Sequence, residues 1–92
     1  MNINQTEKIL KALANRRRLK IIEYLGGGKK ASVSELAGHL KLSFKSTSKH
    51  LLILKSVDVI DSEQVSLARF YFLTKPFSAL SKGLAVLSNS RE

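Results

Sequence analysis

Small polar and cationic side chains share one face of a predicted helix that begins after Ser43 and runs to about residue 55. The helical period of roughly 100° per residue turns Thr47, Leu51 and Leu54 towards a core. The residues that point away from the core are Lys45, Ser46, Ser48 and Lys49. They offer hydrogen-bond donors on short and long side chains and include no acid, so their chemistry suits the phosphates and base edges of a nucleic-acid groove.

A shorter predicted helix precedes this one and makes the segment a helix-turn-helix. Ser32 and Glu35 have the spacing of a capping box, in which each side chain satisfies a free backbone N–H at the start of a helix. The chain then turns through residues 41–42, and Ser43 is the predicted N-cap of the next helix. Two short helices around a tight turn are typical of the motif, so the second is the predicted recognition helix.

The net charge of +9 is concentrated in the same part of the chain. Residues 1–55 hold 12 of the 16 lysines and arginines but only three acidic residues, whereas residues 56–92 are neutral. A positive field attracts polyanions and supplies the salt-dependent part of nucleic-acid affinity. Solubility alone is the alternative explanation for the charge.

Caps, apolar periodicity and β-rich composition predict the other elements. Asn15 is an N-cap candidate, the glycines at 26–28 end the helix that follows it, and Pro76 suits the first turn of a last helix. The runs at 57–61 and 69–73 are rich in β-branched or aromatic residues, and the segment between them can turn. These runs predict a two-stranded hairpin directly after the recognition helix, which is the position of a wing.

The predicted fold is mainly α with a small β-hairpin, a winged helix-turn-helix of order ααααββα, in one domain over residues 1–92. Terminal helices at about 4–14 and 76–89 carry apolar stripes that a core of this size leaves uncovered, so we expect them to pair with a second copy. The predicted dimer interface consists of Ile9, Leu10, Leu13, Phe77, Leu80, Leu84 and Leu87. A homodimer would place two recognition helices at a spacing that reads an inverted repeat.

Arg16, Arg17 and Arg18 occupy the first turn of the second helix, where the helix dipole makes cations slightly unfavourable. Three together indicate a nearby anion, either a carboxylate elsewhere in the fold or a DNA phosphate. We expect Arg16 and Arg17 to contact DNA, and a solvated cluster is the alternative for both.

Residues 8–75 resemble the ArsR family of winged-helix transcriptional regulators. The most specific pieces are KALA at 11–14, followed three residues later by Arg18-Leu19, and Leu42-Ser43 with the run SKHL at 48–51. The resemblance implies a dimeric repressor of duplex DNA whose fourth helix enters the major groove and whose wing touches the backbone or the minor groove.

Carried over from the family, the base and phosphate contacts fall on Phe44, Lys45, Ser46, Ser48, Lys49 and His50. Phe44 stands where a polar residue is usual, and Thr47 replaces a usual aliphatic residue. Asp58 stands where the family often has glycine, and aspartate tolerates the left-handed conformation better than most residues.

The wing also departs from the family pattern, which is basic with a glycine in the turn. Here Asp61 and Glu63 are acidic, and Arg69, a further predicted DNA contact, is the only cation nearby. An acidic wing is repelled by the minor groove, so the helix would carry most of the affinity. Alternatively, the wing serves protein contacts.

Several function classes find no support in the residues present. There is no cysteine, the only histidines are His39 and His50, and the last helix offers only Glu92 as a metal ligand, so no metal site is expected. Packing or a hydrogen bond is the expected role of each histidine. No nucleophile motif, phosphate loop or paired-carboxylate arrangement indicates an enzyme or a cofactor. The start of the chain lacks a signal-peptide pattern and no run could span a bilayer, so we expect a cytoplasmic protein without membrane contact.

The competing class is a winged-helix module that binds protein or RNA without specific recognition of duplex DNA. The acidic wing and the aromatic residues at 70–72 favour it. Aromatic residues in a two-stranded hairpin are more often part of the core, because the hairpin must cover the recognition helix.

Overall fold

The computed structural model describes residues 2–79 and 82–83. Within this part of the chain, four complete helices and a two-stranded antiparallel hairpin are followed by a fifth helix, α5, of which residues 75–79 and 82–83 are described. The complete elements are α1 (Ile3–Leu13), α2 (Arg16–Tyr24), a 3-10 turn at Gly26–Gly28, α3 (Val33–Leu40), α4 (Phe44–Ser56), β1 (Ile60–Val65) and β2 (Ala68–Leu73). This order confirms the predicted winged helix-turn-helix fold.

The helices begin at the residues whose side chains cap them. The side-chain oxygens of Asn15 and Ser43 each accept a hydrogen bond from the backbone N–H three residues further on. Ser32 and Glu35 form both bonds of the capping box, at 3.2 and 2.9 Å. Lys41 ends α3 in the left-handed conformation, which confirms the predicted tight turn between α3 and α4.

The core lies between the helix-turn-helix and the base of the hairpin. α4 buries the predicted face of Thr47, Leu51 and Leu54 completely or almost so. The other members of the buried cluster are Ile21, Ile22, Leu25, Ala31, Leu36, Val59 and Ile60. Since α2, α3, α4 and β1 all contribute to this cluster, the orientation of α4 depends on each of them.

The first wing strand begins later than predicted. The sequence interpretation started it at residue 57, but Asp58 has a left-handed φ of 60° and the chain there is still leaving α4. The N–H of Asp58 donates to the carbonyl of Lys55, and the N–H of Val59 donates to the carbonyl of Leu54. The expected conformation of Asp58 is therefore confirmed, and pairing begins at Ile60.

The wing is also longer than predicted. The seven residues from 62 to 68 were expected to turn, yet β1 and β2 stay paired as far as Val65 and Ala68, and only residues 66–67 form the turn. Ser66 takes a positive φ of 58° there. This outer part is largely exposed on both faces, and its residues do not alternate between apolar and polar, so it lacks the pattern by which a strand is recognised in sequence.

A third segment pairs with the wing. Ala31 forms a bridge with Tyr71, with N–H to O distances of 3.0 and 2.8 Å. The preceding turn requires positive φ at Gly27 and Gly28, which glycine adopts without steric cost. The bridge ties the loop that carries Lys30 to the side of β2, so the loop between α2 and α3 supports the wing.

The apolar residues of the terminal helices do not all remain available for a partner. Ile9, Leu13 and Phe77 pack against the core of their own chain. On α1, the exposed apolar residues are Leu10, with 60% of its surface accessible, and Ile3, with 83%. Leu80, Leu84 and Leu87, and the predicted extent of the last helix to residue 89, lie outside the described residues.

Candidate nucleic-acid interface

The first two turns of α4 present the residues predicted to read DNA. Lys45, Ser46 and Lys49 are exposed, Ser48 is half-buried, and 61% of Phe44 is accessible. Thr47 lies on the opposite face, where its hydroxyl donates to the carbonyl oxygen of Ser43 at 2.9 Å. The buried hydroxyl is therefore satisfied, and threonine at this position costs the helix no unpaired polar group.

The second half of α4 has a different character. Leu52 and Ile53 are its exposed apolar side chains, with 70% and 40% of their surfaces accessible. These side chains have no group that could form a hydrogen bond with a base edge. The continuous polar surface of α4 therefore lies in its N-terminal half, and Lys55 and Ser56 stand apart at its C-terminal end. The N-terminal half is the part of a recognition helix that enters the major groove in helix-turn-helix proteins.

The arginine cluster is divided between two roles. Arg18 is half-buried; its Nε donates to the carbonyl oxygen of Ala12, and its Nη1 lies 3.3 Å from Nδ1 of His50. The sequence predicted an anion beside these arginines. Arg18 instead binds a backbone carbonyl oxygen and a ring nitrogen, neither of which is charged. Arg16 and Arg17 are exposed and form no ion pair within the described residues, so their charges remain available.

His50 is engaged by the protein. Arginine has no acceptor atom, so Nδ1 of His50 accepts the hydrogen bond and the imidazole is neutral. Burial lowers the pKa of His50, and the positive charges of Arg18 and Arg17 lower it further. One of the two ring nitrogens is therefore unavailable to DNA, although the sequence assigned this residue to the DNA contacts.

One face of the wing, directed towards α4, carries cations. Arg69 donates to the hydroxyl of Ser62 and to the side-chain oxygen of Gln64, both at 2.9 Å. Lys55, at the end of α4, donates to the same Ser62 hydroxyl at 3.1 Å. Sequence reasoning identified Arg69 but missed Lys55, because nothing in the spacing shows that the end of α4 meets the third position of the hairpin.

The acidic residues lie on the other face of the wing. Side chains alternate along a strand, so Asp61 and Glu63 point away from the face that carries Ser62. Glu63 pairs with Lys30 at 2.6 Å, and Lys30 also lies over the ring of Phe72, 5.2 Å from its centre. The acidity of the wing is thus directed away from α4 and partly neutralised by the loop that is tied to β2.

Replacing both Lys55 and Arg69 by alanine is expected to weaken binding several-fold for every duplex sequence. The Ser62 hydroxyl orients both cations but cannot neutralise them, so they remain able to bind phosphate. The slope of log affinity against log salt concentration should fall by about one for each cation removed.

Fluorescence anisotropy across a salt series measures this slope. Ser62→Ala is the matched control, because it removes the shared hydroxyl and keeps both charges, and it should preserve the slope. An unchanged slope in the double variant would exclude phosphate contacts at the base of the wing.

The remaining chemistry of the described residues is sparse. In residues 2–79 and 82–83, no three His, Cys, Asp or Glu side chains come together as metal ligands. The ring of His39 packs against Tyr24, with the ring centres 4.5 Å apart. Packing for His39 and a hydrogen bond for His50 confirm the expected roles of the two histidines. No helix in the described ranges is long and apolar enough to cross a bilayer.

A helix-turn-helix with a cationic outward face, followed by a paired hairpin, defines a winged-helix DNA-binding protein. The sequence profile of the family described as "Bacterial regulatory protein, arsR family" matches residues 15–62, and the chain belongs to this family. The transcriptional activator HlyU of Vibrio cholerae is 35% identical over an 81-residue alignment that covers 80% of this chain and 74% of HlyU. The resemblance recognised in the sequence is thereby confirmed.

Solved structures agree with this assignment. Reduced HlyU from Vibrio cholerae superposes with a TM-score of 0.82 at 32% identity, covering 91% of this chain and 88% of that one. A homodimeric winged helix-turn-helix domain from Mycobacterium bovis, a possible ArsR-family regulator, has a TM-score of 0.84 at 24% identity, covering 97% and 82%. The chain is a DNA-binding transcriptional regulator and, as a member of this family, not an enzyme.

Proposed function

We propose that the chain acts as a homodimer that binds an inverted-repeat operator in duplex DNA and represses the promoter that it covers. The observation that carries the proposal is the N-terminal half of α4, in which Lys45 and Lys49 stand one helical turn apart, exposed and without an acidic neighbour on the helix. Such a face complements the major groove, where base edges and flanking phosphates are reached together.

Each residue of this face has a chemical role in the proposal. Lys45 and Lys49 bind phosphates or guanine acceptors, and Ser46 and Ser48 form short hydrogen bonds. Phe44 offers an apolar surface to a thymine methyl group. Arg16, Arg17, Lys55 and Arg69 supply phosphate contacts around the helix. His50 is left out of the base contacts, because its Nδ1 is bound to Arg18.

The dimer is proposed from the exposed apolar residues of α1 and the uncovered stripe predicted for the last helix. The similar domain from Mycobacterium bovis is described as homodimeric, which supports the same assembly here. A two-fold dimer carries two copies of α4, and these match an operator with two related half-sites.

Whether a bound regulator represses or activates transcription depends on the position of its operator. HlyU of Vibrio cholerae is named an activator, whereas a dimer bound across a promoter blocks transcription. Repression is the proposed outcome for this chain, and in vitro transcription from its target promoter decides between the two. A bacterial gene regulator acts where the chromosome lies, so the proposed location is the cytoplasm.

The first test compares two duplexes by fluorescence anisotropy at several salt concentrations. One duplex is the region upstream of the chain's own gene, and the other is the same region shuffled. A preference of about a thousandfold or more is expected for the native duplex, as for specific regulators in general. Equal affinity for the two duplexes, with a steep dependence on salt, would show that the interface is a basic surface without sequence recognition.

A module that binds protein or RNA is the second candidate. The half-buried Phe70 and Phe72 favour it. They lie on the face of the wing that carries Asp61 and Glu63, and they leave aromatic surface next to Lys30. Absence of duplex binding at moderate salt, together with binding to single-stranded RNA, would select this candidate.

Zinc is expected to leave DNA affinity unchanged. The chain has no cysteine, and its two histidines are engaged by Tyr24 and Arg18. A first-row metal site normally needs about four ligands. Titration of zinc into the protein–operator complex, followed by anisotropy, checks this expectation. A saturable loss of binding at one zinc per protomer would contradict it.

A further inference from the structure

Arg18 and His50 connect the recognition helix to the junction between α1 and α2, and this connection depends on the protonation state of His50. We propose that the bond from Arg18 to neutral His50 positions α4 for DNA, and that protonation of His50 breaks it, so acidification weakens DNA binding by this chain. The proposal uses the DNA binding of the family and adds a positioning pair and a response to pH.

Two contacts fix Arg18 before it reaches α4. Its backbone N–H is held by the side-chain oxygen of Asn15 at 3.1 Å, and its Nε donates to the carbonyl oxygen of Ala12 at the end of α1. The guanidinium is therefore oriented by the junction between α1 and α2. Its remaining bond, from Nη1 to Nδ1 of His50, crosses 32 positions of sequence to the middle of α4.

His50 lies between the polar face and the buried face of α4. It follows Lys49 directly and precedes Leu51, which is buried in the core. A displacement of the backbone at His50 displaces Lys49 with it, because the helix is rigid over one turn. The bond to Arg18 thus acts on DNA through the placement of Lys49 and not through a contact of the imidazole itself.

The surroundings of His50 oppose its protonation. The charged groups that lower its pKa are Arg18 and Arg17, both from α2, and Arg18 is bound in turn to the uncharged carbonyl of Ala12 in α1. Lys49, its neighbour on α4, is a further cation and is exposed. No carboxylate is among the groups that shift the pKa of His50, which is lowered by burial first and then by the two arginines.

The protonated ring cannot keep the bond. An imidazolium donates from both nitrogens and has no acceptor left for Arg18, and its charge then repels the guanidinium. Because the pKa of His50 is lowered in the folded protein, the folded state binds fewer protons than the unfolded state. The contribution of neutral His50 to the free energy of unfolding is therefore complete above pH 6.5 and is lost as the pH falls below it. The DNA-binding arrangement of α4 is lost in the same window.

A direct contact between His50 and DNA would produce the opposite result. Protonation would then add a cation at the phosphate backbone, tighten binding and steepen its salt dependence. The direction in which affinity changes on acidification therefore separates a positioning role from a contacting one.

The experiment measures anisotropy with a short random-sequence duplex at low, constant ionic strength, from about pH 7.5 to about pH 5.5. This probe needs only the general affinity for DNA, so it works even if the proposed operator fails. The wild-type dissociation constant should rise at least about fivefold more than that of His50→Gln, whose side chain accepts from Arg18 at every pH. His39→Gln is the matched control and should keep the full response.

Nuclear magnetic resonance of the wild type provides a measurement that needs no variant. The His50 ring should titrate below pH 6.5, and the backbone amides of residues 12–18 and 45–49 should shift with the same midpoint. Tighter binding at low pH, an equal response in His50→Gln, or a His50 titration that leaves those amides unmoved would each overturn the proposal.

Discussion

Replacing Lys45 and Lys49 together by alanine is expected to abolish specific duplex binding and to leave the fold intact. Both side chains are exposed and neither forms an ion pair within the described part of the chain, so their removal costs the folded state no ion pair there. A good bidentate contact to a base contributes about 1 to 3 kcal/mol to discrimination. The loss of two should lower affinity by about a hundredfold or more, and the salt slope by about two.

The control for this variant removes the same charge elsewhere. Lys11 and Lys20 are exposed on α1 and α2, and the only ion pair between them and an acid within the described residues is the loose one from Lys11 to Glu7, at 3.9 Å. Their double alanine variant should bind nearly as the wild type does, with a change limited to the general field. Equal affinity for the Lys45 and Lys49 variant and the wild type, with unchanged circular dichroism, would refute the assignment of α4.

Replacing Leu10 by glutamate is expected to convert the dimer into a monomer. Leu10 and Ile3 lie two helical turns apart on the same side of α1, and both are exposed in one chain. A carboxylate at this surface would have to be desolvated in the pair, which costs more than the lost apolar contact. Binding to a two-half-site operator should fall by about a hundredfold or more, because the second half-site is then no longer reached intramolecularly.

Sedimentation equilibrium at micromolar concentration checks the oligomeric state. Leu67→Glu makes the same chemical change at the tip of the wing, where 99% of the leucine is accessible, and should remain dimeric. A monomeric wild type would refute the proposed dimer, and so would a dimeric Leu10→Glu variant. Retained weak binding to a single half-site shows that the variant is still folded.

The parts of the fold that sequence predicts well are those that depend on near neighbours. Asn15, Ser32 and Ser43 cap helices because each reaches an N–H only three residues away, and such spacing is visible in the chain. One cap of this kind was missed: Asn2 and Gln5 form a second capping box, so α1 begins at Ile3. The spacing from Asn2 to Gln5 carries the same signal as that from Ser32 to Glu35.

Contacts between distant segments escaped prediction because local pattern does not encode them. Arg18 meets His50, Lys55 meets Ser62, and Lys30 meets Glu63, each through the packing of separate elements. The predicted boundaries of the wing strands were wrong for a related reason. Val57 and Val59 have strand-forming side chains, but their positions at the end of α4 are fixed by hydrogen bonds back to the helix and by tertiary packing.

The separation of charge on the wing has a consequence for how this surface can change in evolution. A strand assigns odd and even positions to opposite sides, so Ser62 and Gln64 share one side while Asp61 and Glu63 share the other. A single inserted or deleted residue in β1 would exchange the two sides and turn the carboxylates towards α4 without altering the composition of the hairpin. The charge that the wing presents beside the recognition helix therefore depends on whether the length of β1 changes by an odd or an even number of residues. A substitution alters this surface one side chain at a time, whereas a one-residue insertion or deletion exchanges both faces at once.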